Sequence, residues 1–271
     1  MKNYCYKDGK IVPSDKAFVG IYDIGLLRGY GIYEGITTRN GKPFHLKEHL
    51  ARFRKSAKKM NLKIPLKDRQ IEKIIHALIQ KNKFERTNIK MILTGGETLN
   101  SIGYNPAKPT FFIFTEEWHT LPHELYAKGG KLITYDYLRF MPEIKTTHYI
   151  TAVQLQTRRQ KQNAVEILYT SQNNILECST SNIFIFKKDT LITPKNNVLP
   201  GITRKVVLEI AKRYFRIEER DVSFSELLKV EEVFITSSFK DIVPITTVDK
   251  TRIAKGTVGK NTKLIMELFS K

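Results

Sequence analysis

Cysteine is nearly absent from this chain: Cys5 and Cys178 are the only two in 271 residues. Two cysteines cannot build the disulfide framework of a small secreted domain, and neither lies in a recognisable nucleophile motif, so a reducing compartment is expected. No apolar run approaches the roughly 20 residues that span a bilayer. The start, Met1-Lys2-Asn3-Tyr4-Cys5-Tyr6-Lys7, lacks the apolar centre of a signal peptide, which makes the cytoplasm the expected location. Acid is also in short supply, with 27 acidic against 46 basic residues and a net charge of +19. Such an excess favours anionic small molecules or nucleic acid. The basic residues are scattered, as in Lys55-Lys58-Lys59 and Arg158-Arg159-Lys161, without a basic tail or aromatic-interleaved tract, so nucleic acid is not the expected primary partner.

Several chemical signatures are missing as well. Gly29-Tyr30-Gly31 is followed by Gly35 one position too late for a dinucleotide loop, and no capped helix follows it. His45 and His49, like His119 and His123, stand four apart, but no cysteine or carboxylate cluster completes a metal set, so no metal is expected. There is no Gly-x-Ser-x-Gly elbow from which to build a hydrolase triad.

What is present is an ordinary globular composition, 41% hydrophobic and 27% charged, in a chain long enough for two domains. The first 45 residues read as strands joined by tight turns at Asp8-Gly9 and Asn40-Gly41. Leu46, Leu50, Phe53, Ala57 and Met60 recur at helical spacing, as do Ile71, Ile74, Ile75, Leu78 and Ile79. Ile89 to Leu93 and Thr110 to Thr115 read as buried strands. A second block holds a strand near Lys131 to Tyr137, a helix after Thr147, a β-meander from Glu166 to Ile192 and a helix from Thr203 to Tyr214. The irregular alternation predicts an α+β architecture of two α/β domains: residues 1–117, a connection over 118–127, and residues 128–271.

The chemistry concentrates in Glu177-Cys178-Ser179-Thr180-Ser181-Asn182-Ile183-Phe184, then Leu191-Ile192-Thr193-Pro194, then Leu199-Pro200-Gly201-Ile202-Thr203-Arg204. Small hydroxyl residues and an amide between an acid and an apolar strand offer more donors than a plain turn needs. Gly201-Ile202-Thr203-Arg204 lies where a loop enters an amphipathic helix, with Thr203 placed to cap it. Unpaired N–H groups and the positive end of the helix dipole favour an anion there, although an ordinary capped helix start fits the same residues.

This whole run resembles the signature of class IV pyridoxal-phosphate enzymes. The resemblance extends through Arg28-Gly29-Tyr30-Gly31-Ile32-Tyr33-Glu34-Gly35, His49-Leu50-Ala51-Arg52-Phe53, Glu143-Ile144-Lys145-Thr146-Thr147 and Glu232-Val233-Phe234-Ile235-Thr236-Ser237-Ser238. Branched-chain aminotransferases, D-amino-acid aminotransferases and aminodeoxychorismate lyases share the pattern. It implies fold type IV, with pyridoxal 5'-phosphate held between two domains in a homodimer. It also implies an amino group moved between an amino acid and a 2-oxo acid. By the same resemblance Lys145 is the Schiff-base lysine and Glu177 faces the pyridine nitrogen, keeping the ring an electron sink. Arg52 binds the cofactor phosphate, Ile202, Thr203, Ser237 and Ser238 add backbone or hydroxyl donors to it, and Tyr149 lies against the phenolic oxygen.

Substrate recognition is less completely matched. The Tyr-x-Arg pair of branched-chain enzymes is not found around Ile89 to Leu93, and the Arg-x-His pair of the usual D-amino-acid enzymes is absent between Thr94 and Pro106. Arg28, Lys90 and Lys240 are the cations available to replace them, and Tyr33 matches a pocket-lining position. Arg28 ranks first, because its Arg-Gly-Tyr-Gly segment resembles some atypical D-amino-acid transaminases in a loop that often reaches across the family's dimer interface. An aminodeoxychorismate lyase would use the same lysine and ring. A basic nucleic-acid-associated protein that kept the fold without the chemistry would show a damaged cofactor site, whereas Lys145, Arg52, Glu177 and Thr203 stand together.

Overall fold

A computed structural model describes residues 3–271, and its contacts divide the chain into two compact units. Of the described residues, the first comprises 3–119 together with Ile144–Tyr149, and the second Thr120–Glu143 with Ile150–Lys271. The short segment around Lys145 thus belongs to the N-terminal unit although it lies just past the middle of the sequence. No helix among the described residues is long and apolar enough to cross a membrane.

The first unit is built from β1 (Tyr4–Lys7), β2 (Lys10–Pro13), α1 (Ile24–Arg28), β3 (Gly31–Arg39), β4 (Lys42–Pro43), α2 (Leu46–Lys59), α3 (Asp68–Asn82), β5 (Thr87–Thr94) and β6 (Thr110–Glu117). Its strands form one antiparallel sheet in the order β2-β1-β6-β5-β3-β4. Both hairpin dipeptides act as expected: Asp8 and Gly9 have φ of 43° and 101°, and Asn40 and Gly41 have 49° and 71°. Two consecutive positive φ values match the twist of the flanking strands. The apolar stripes also hold, since Leu50, Phe53 and Ala57 of α2 and Ile71, Ile75 and Leu78 of α3 are buried. The all-strand reading of the first 45 residues is corrected by α1. Asp23 caps that helix by accepting from Gly25 N at 2.7 Å, and Gly29 closes it in the left-handed region at φ 64°.

The second unit contains α4 (His123–Lys128), β7 (Gly130–Asp136), α5 (Ile150–Gln154), α6 (Gln156–Lys161), β8 (Glu166–Ser171), β9 (Asn174–Cys178), β10 (Asn182–Lys187) and β11 (Thr190–Thr193). It continues through α7 (Ile202–Ala211), β12 (Arg216–Glu219), β13 (Val222–Ser223), α8 (Phe224–Leu227), β14 (Glu232–Ser237), β15 (Asp241–Val248), β16 (Thr251–Arg252) and α9 (Lys260–Ser270). The strands form one mixed sheet in the order β12-β11-β10-β14-β15-β7-β8-β9-β13, with β16 on β15. β15, β7 and β8 run parallel at its centre. Parallel strands covered on both faces need apolar side chains at successive positions. Accordingly Leu132 and Leu168 enter one cluster with Ile183, Ile235 and Val243, while their neighbours Ile133 and Ile167 enter another with Tyr169 and Leu176.

Helix α9 carries its apolar residues at Leu264, Ile265, Leu268 and Phe269, and a tertiary contact holds its start. Glu232 accepts from Asn261 N at 3.1 Å and Thr262 N at 2.6 Å, taking the place of a local cap. Glu232→Ala leaves those amides without an acceptor in a buried site and is expected to cost about 2 kcal/mol, a fall in Tm of roughly 5 °C. Thermal unfolding of the variant measures this, and an unchanged Tm would show that α9 is held by its apolar face alone.

Candidate functional site

The lysine singled out from the sequence is fixed by backbone pairing. Residues 144–147 lie along β3, where Tyr33 N donates to Lys145 O at 2.9 Å and Thr147 N to Gly31 O at 3.0 Å, and Ile32 bridges Thr146. The Thr147 hydroxyl adds a bond to Gly29 O at 3.1 Å. A side chain at Gly31 would meet Leu93 O at 3.0 Å and Thr147 Oγ1 at 3.1 Å, so a residue without Cβ is what permits this approach. Lys145 Nζ then rests 4.3 Å from the centroid of the Tyr33 ring, and among the described residues no carboxylate neutralises it. Tyr33 and Tyr149 share a hydroxyl–hydroxyl hydrogen bond of 2.7 Å. Lys145 and Tyr149, four residues apart, therefore form one corner with the distant Tyr33.

Beside it lies a buried charged cluster. Arg52 donates through Nε to Glu34 Oε2 at 3.0 Å and through Nη2 to Glu34 Oε1 at 2.5 Å, and His49 Nδ1 lies 3.0 Å from Glu34 Oε1. Burial pushes the Glu34 carboxyl up, but the charges and hydrogen bonds of Arg52 and His49 reverse this and hold it well below the usual carboxylate range. His49 moves down, because burial outweighs the neighbouring carboxylate. The spacing of His49 and Arg52 on α2 brings both side chains to one face, yet only the fold reveals that Glu34 joins them.

The second unit gathers a different set. Glu177, at the end of β9, accepts from Arg139 Nε at 2.8 Å and from Leu199 N at 2.9 Å. Arg139 escaped the sequence reading, since it lies 38 residues from Glu177 in a loop with no motif of its own. Helix α7 begins one residue earlier than expected, at Ile202, and ends at Ala211. This corrects the expectation that Thr203 caps it: Gly201 is the N-cap, in extended backbone, and it offers no side chain to the first amides. A Cβ at Gly201 would lie 2.0 Å from Asn182 Oδ1, so the chain approaches Asn182 too closely for any other residue. Thr203 is buried inside the first turn, while Arg204 turns away to Thr193, Pro194 and Glu219. On the β14–β15 hairpin, the hydroxyls of Thr236 and Ser237 are buried without a hydrogen-bond partner among the described residues.

The three cations proposed for a substrate carboxylate fare differently. Lys240 Nζ is committed to Glu166 Oε1 at 2.8 Å and Thr180 Oγ1 at 2.6 Å. Lys90 pairs with Glu116 at 2.7 Å on the sheet of the first unit. Arg28 is exposed at the end of α1, where its guanidinium donates to Leu27 O at 2.9 Å.

Residues 31–248 match the family model described as amino-transferase class IV. The chain belongs to the class IV aminotransferases. Enzymes of this family move amino groups with pyridoxal 5'-phosphate as cofactor. A Listeria monocytogenes D-alanine aminotransferase is 30% identical over 266 residues, covering 96% of this chain and 92% of its own. A Methanocaldococcus jannaschii protein provisionally named a branched-chain-amino-acid aminotransferase is 31% identical over 276 residues, covering 97% and 94%. The fold agrees with that of the Escherichia coli branched-chain amino acid aminotransferase, at a TM-score of 0.91, 22% identity and coverage of 98% and 93%.

In the second unit of this class IV aminotransferase, the orphaned Ser237 hydroxyl and the uncapped first turn of α7 both need an acceptor, which fits a phosphate group. In the first unit, the amine of Lys145 has no acid partner among the described residues, which fits an aldehyde-bearing cofactor. The Glu34 cluster adds a stability signature. An unfolded histidine takes up a proton below about pH 6.5, whereas buried His49 resists it, so its contribution is present above that pH and lost as pH falls through the lowered folded value. Glu34 acts in the same sense below about 4.5. Denaturant unfolding at pH 7.5 and 5.5 should show wild-type stability falling, with a shallower fall in His49→Gln. Equal slopes would mean that His49 does not carry the effect.

Proposed function

We propose that this class IV aminotransferase works through Lys145, whose amine would hold the cofactor by condensing with its aldehyde, with loss of water, and would act as the base that takes the proton from the substrate Cα. The observation that carries this reading is the placement of Lys145 Nζ over Tyr33, without a carboxylate partner among the described residues and beside the Tyr33–Tyr149 pair. Bound there, pyridoxal 5'-phosphate supplies an electron-accepting ring, which lowers the barrier to removing that proton. Glu177 would face the ring nitrogen, its carboxylate oriented by hydrogen bonds from Arg139 and Leu199 N. Tyr149 would lie at the phenolic oxygen, its hydroxyl paired with that of Tyr33.

Arg52, the amides of Ile202 and Thr203, and the hydroxyls of Ser237 and Ser238 are the residues that would hold the phosphate. Arg52 is already planar and fixed by its fork on Glu34, so little side-chain freedom remains to be lost on binding. For the substrate carboxylate, Arg28 is favoured over Lys90 and Lys240, because both lysines are engaged by buried or cross-strand acids. Tyr33 lines the same pocket. The substrate is a branched-chain L-amino acid or a D-amino acid, in keeping with the names of the relatives.

Phe18, Ile21, Tyr22 and Leu26 are all more than half exposed just before Arg28. Large apolar side chains so exposed and so close in the chain suit an interface, and a second copy of the chain is the proposed occupant. The two cysteines are free and buried, which fits the reducing cytoplasm.

Mixing cofactor-loaded protein with separate amino acids, while following the visible absorbance of the lysine-linked cofactor, tests the activity. Loss of the band with L-leucine or L-valine identifies a branched-chain enzyme, and loss with D-alanine or D-glutamate a D-amino-acid enzyme. No change with either would favour elimination from aminodeoxychorismate. Lys145→Ala should abolish both band and turnover, while Glu177→Ala keeps the band and slows turnover about 100-fold or more. A fully active Lys145→Ala protein would refute the assignment. Phe18→Asp with Ile21→Asp should yield a monomer by light scattering, and an unchanged mass would place the interface elsewhere.

A further inference from the structure

Lys240 and Glu166 form an ion pair that the reaction does not explain. Glu166 opens β8 and is buried, and its carboxylate is the meeting point of two loops. From the loop after Glu177 it accepts the Ser179 hydroxyl at 3.1 Å, the Thr180 amide at 2.8 Å and the Ser181 hydroxyl. From the β14–β15 hairpin it accepts Lys240 Nζ at 2.8 Å, and the same amine reaches Thr180 Oγ1 at 2.6 Å. Three residues, Ser238, Phe239 and Lys240, connect the paired positions Ser237 and Asp241, and Asp241 closes the turn with φ 56°. Tyr126 donates its hydroxyl to Lys240 O at 3.1 Å, a second tether on the same turn.

The turn so held carries hydroxyls in want of a partner. Ser237 Oγ and Thr236 Oγ1 are buried and unbonded among the described residues, and a buried hydroxyl left unpaired is unfavourable unless a ligand completes it. A lysine on a three-residue turn would ordinarily extend into water. Here its side chain is only 20% exposed, and it ends on a carboxylate that is itself 3% exposed. A tie between a buried acid and a turn lysine fixes geometry more than it adds stability.

We propose that Lys240 is a positioning residue: its ion pair with Glu166 locks the Ser237–Asp241 turn to the Ser179–Ser181 loop, presenting the turn's donors to the cofactor phosphate. It does not bind the substrate carboxylate. This rests on the reading that Ser237 and Ser238 hold the phosphate. It further implies that the loop leaving Glu177 and the phosphate turn move as one body, because a single carboxylate joins them.

The test compares the Kd of pyridoxal 5'-phosphate with that of pyridoxal, which lacks the phosphate, by equilibrium titration of the apo-protein. Lys240→Met should weaken pyridoxal 5'-phosphate about tenfold and leave pyridoxal within about twofold, and Lys240→Arg should restore the wild-type ratio. Should Lys240→Met misfold because Glu166 is left as an unpaired buried charge, Glu166→Gln with Lys240→Met removes both charges and should show the same loss of ratio. An unchanged ratio in that double variant overturns the proposal. A raised KM for amino acids with an unaltered ratio in Lys240→Met also overturns it, returning Lys240 to carboxylate binding. Ser237→Ala with Ser238→Ala should likewise collapse the ratio. If it does not, the phosphate assignment fails first and takes the proposal with it, whereas a collapse there without one in Lys240→Met refutes the Lys240 role alone.

Discussion

Two backbone hydrogen bonds, from Tyr33 N to Lys145 O and from Thr147 N to Gly31 O, determine where Lys145 stands. They draw a segment from the middle of the chain onto a strand near its beginning. Everything else in the lysine corner depends on that register. Strand pairing has a side-chain period of two, so a slip of one residue would turn Lys145 away from Tyr33 and bring Ile144 or Thr146 in its place. Gly31 allows the pairing by having no Cβ, and the Thr147 hydroxyl pins it a third time at Gly29 O. The lysine is consequently set by main chain, while its own long side chain keeps the freedom that chemistry at its end requires.

The carboxylates show a second regularity. Glu34, Glu166 and Glu177 are all buried, and each is met by one cation from elsewhere in the sequence: Arg52, Lys240 and Arg139. A buried carboxylate without a partner would take up a proton instead of remaining charged. For Glu166, burial raises the carboxyl, but the Lys240 charge and the hydrogen bonds of Lys240, Ser181 and Thr180 bring it below its ordinary value. Each pair is held by further hydrogen bonds, which is the condition under which a buried ion pair is tolerated at all. Three of the chain's 46 basic residues thus have specific internal tasks.

Much of this is legible in the order of the amino acids alone, for reasons that differ from residue to residue. The helical stripes of α2 and α3 are readable because their apolar positions follow the period of the element that buries them. Asp8-Gly9 and Asn40-Gly41 are readable because few residues accept the φ values their turns need. Helix α1 escapes notice because five residues carry no period, and its cap, Asp23, owes its burial to Thr94 and Thr110 far along the chain. Thr203 looks like a cap because threonine commonly is one, but contact with Asn182 gives the N-cap position to Gly201. Arg139 and the Glu34–His49 contact cannot be read at all, since nothing local distinguishes a buried arginine from a solvated one.

Lys240 shows where such reading must stop and geometry take over. A cation two residues beyond the hydroxyl-rich Thr236-Ser237-Ser238 run invites assignment to an anionic substrate, and charge alone cannot separate that role from an internal one. Distances separate them. An amine with hydrogen bonds of 2.8 Å and 2.6 Å to a buried acid and a hydroxyl has spent most of its directional capacity inside the protein, leaving at most one of its three donors for a ligand. Arg28, with five donors and one carbonyl contact, keeps nearly all of them. A planar fork also matches a carboxylate in a way that a single ammonium donor does not. The comparison that ranks Arg28 above Lys240 is therefore one of unused hydrogen-bonding capacity rather than of charge.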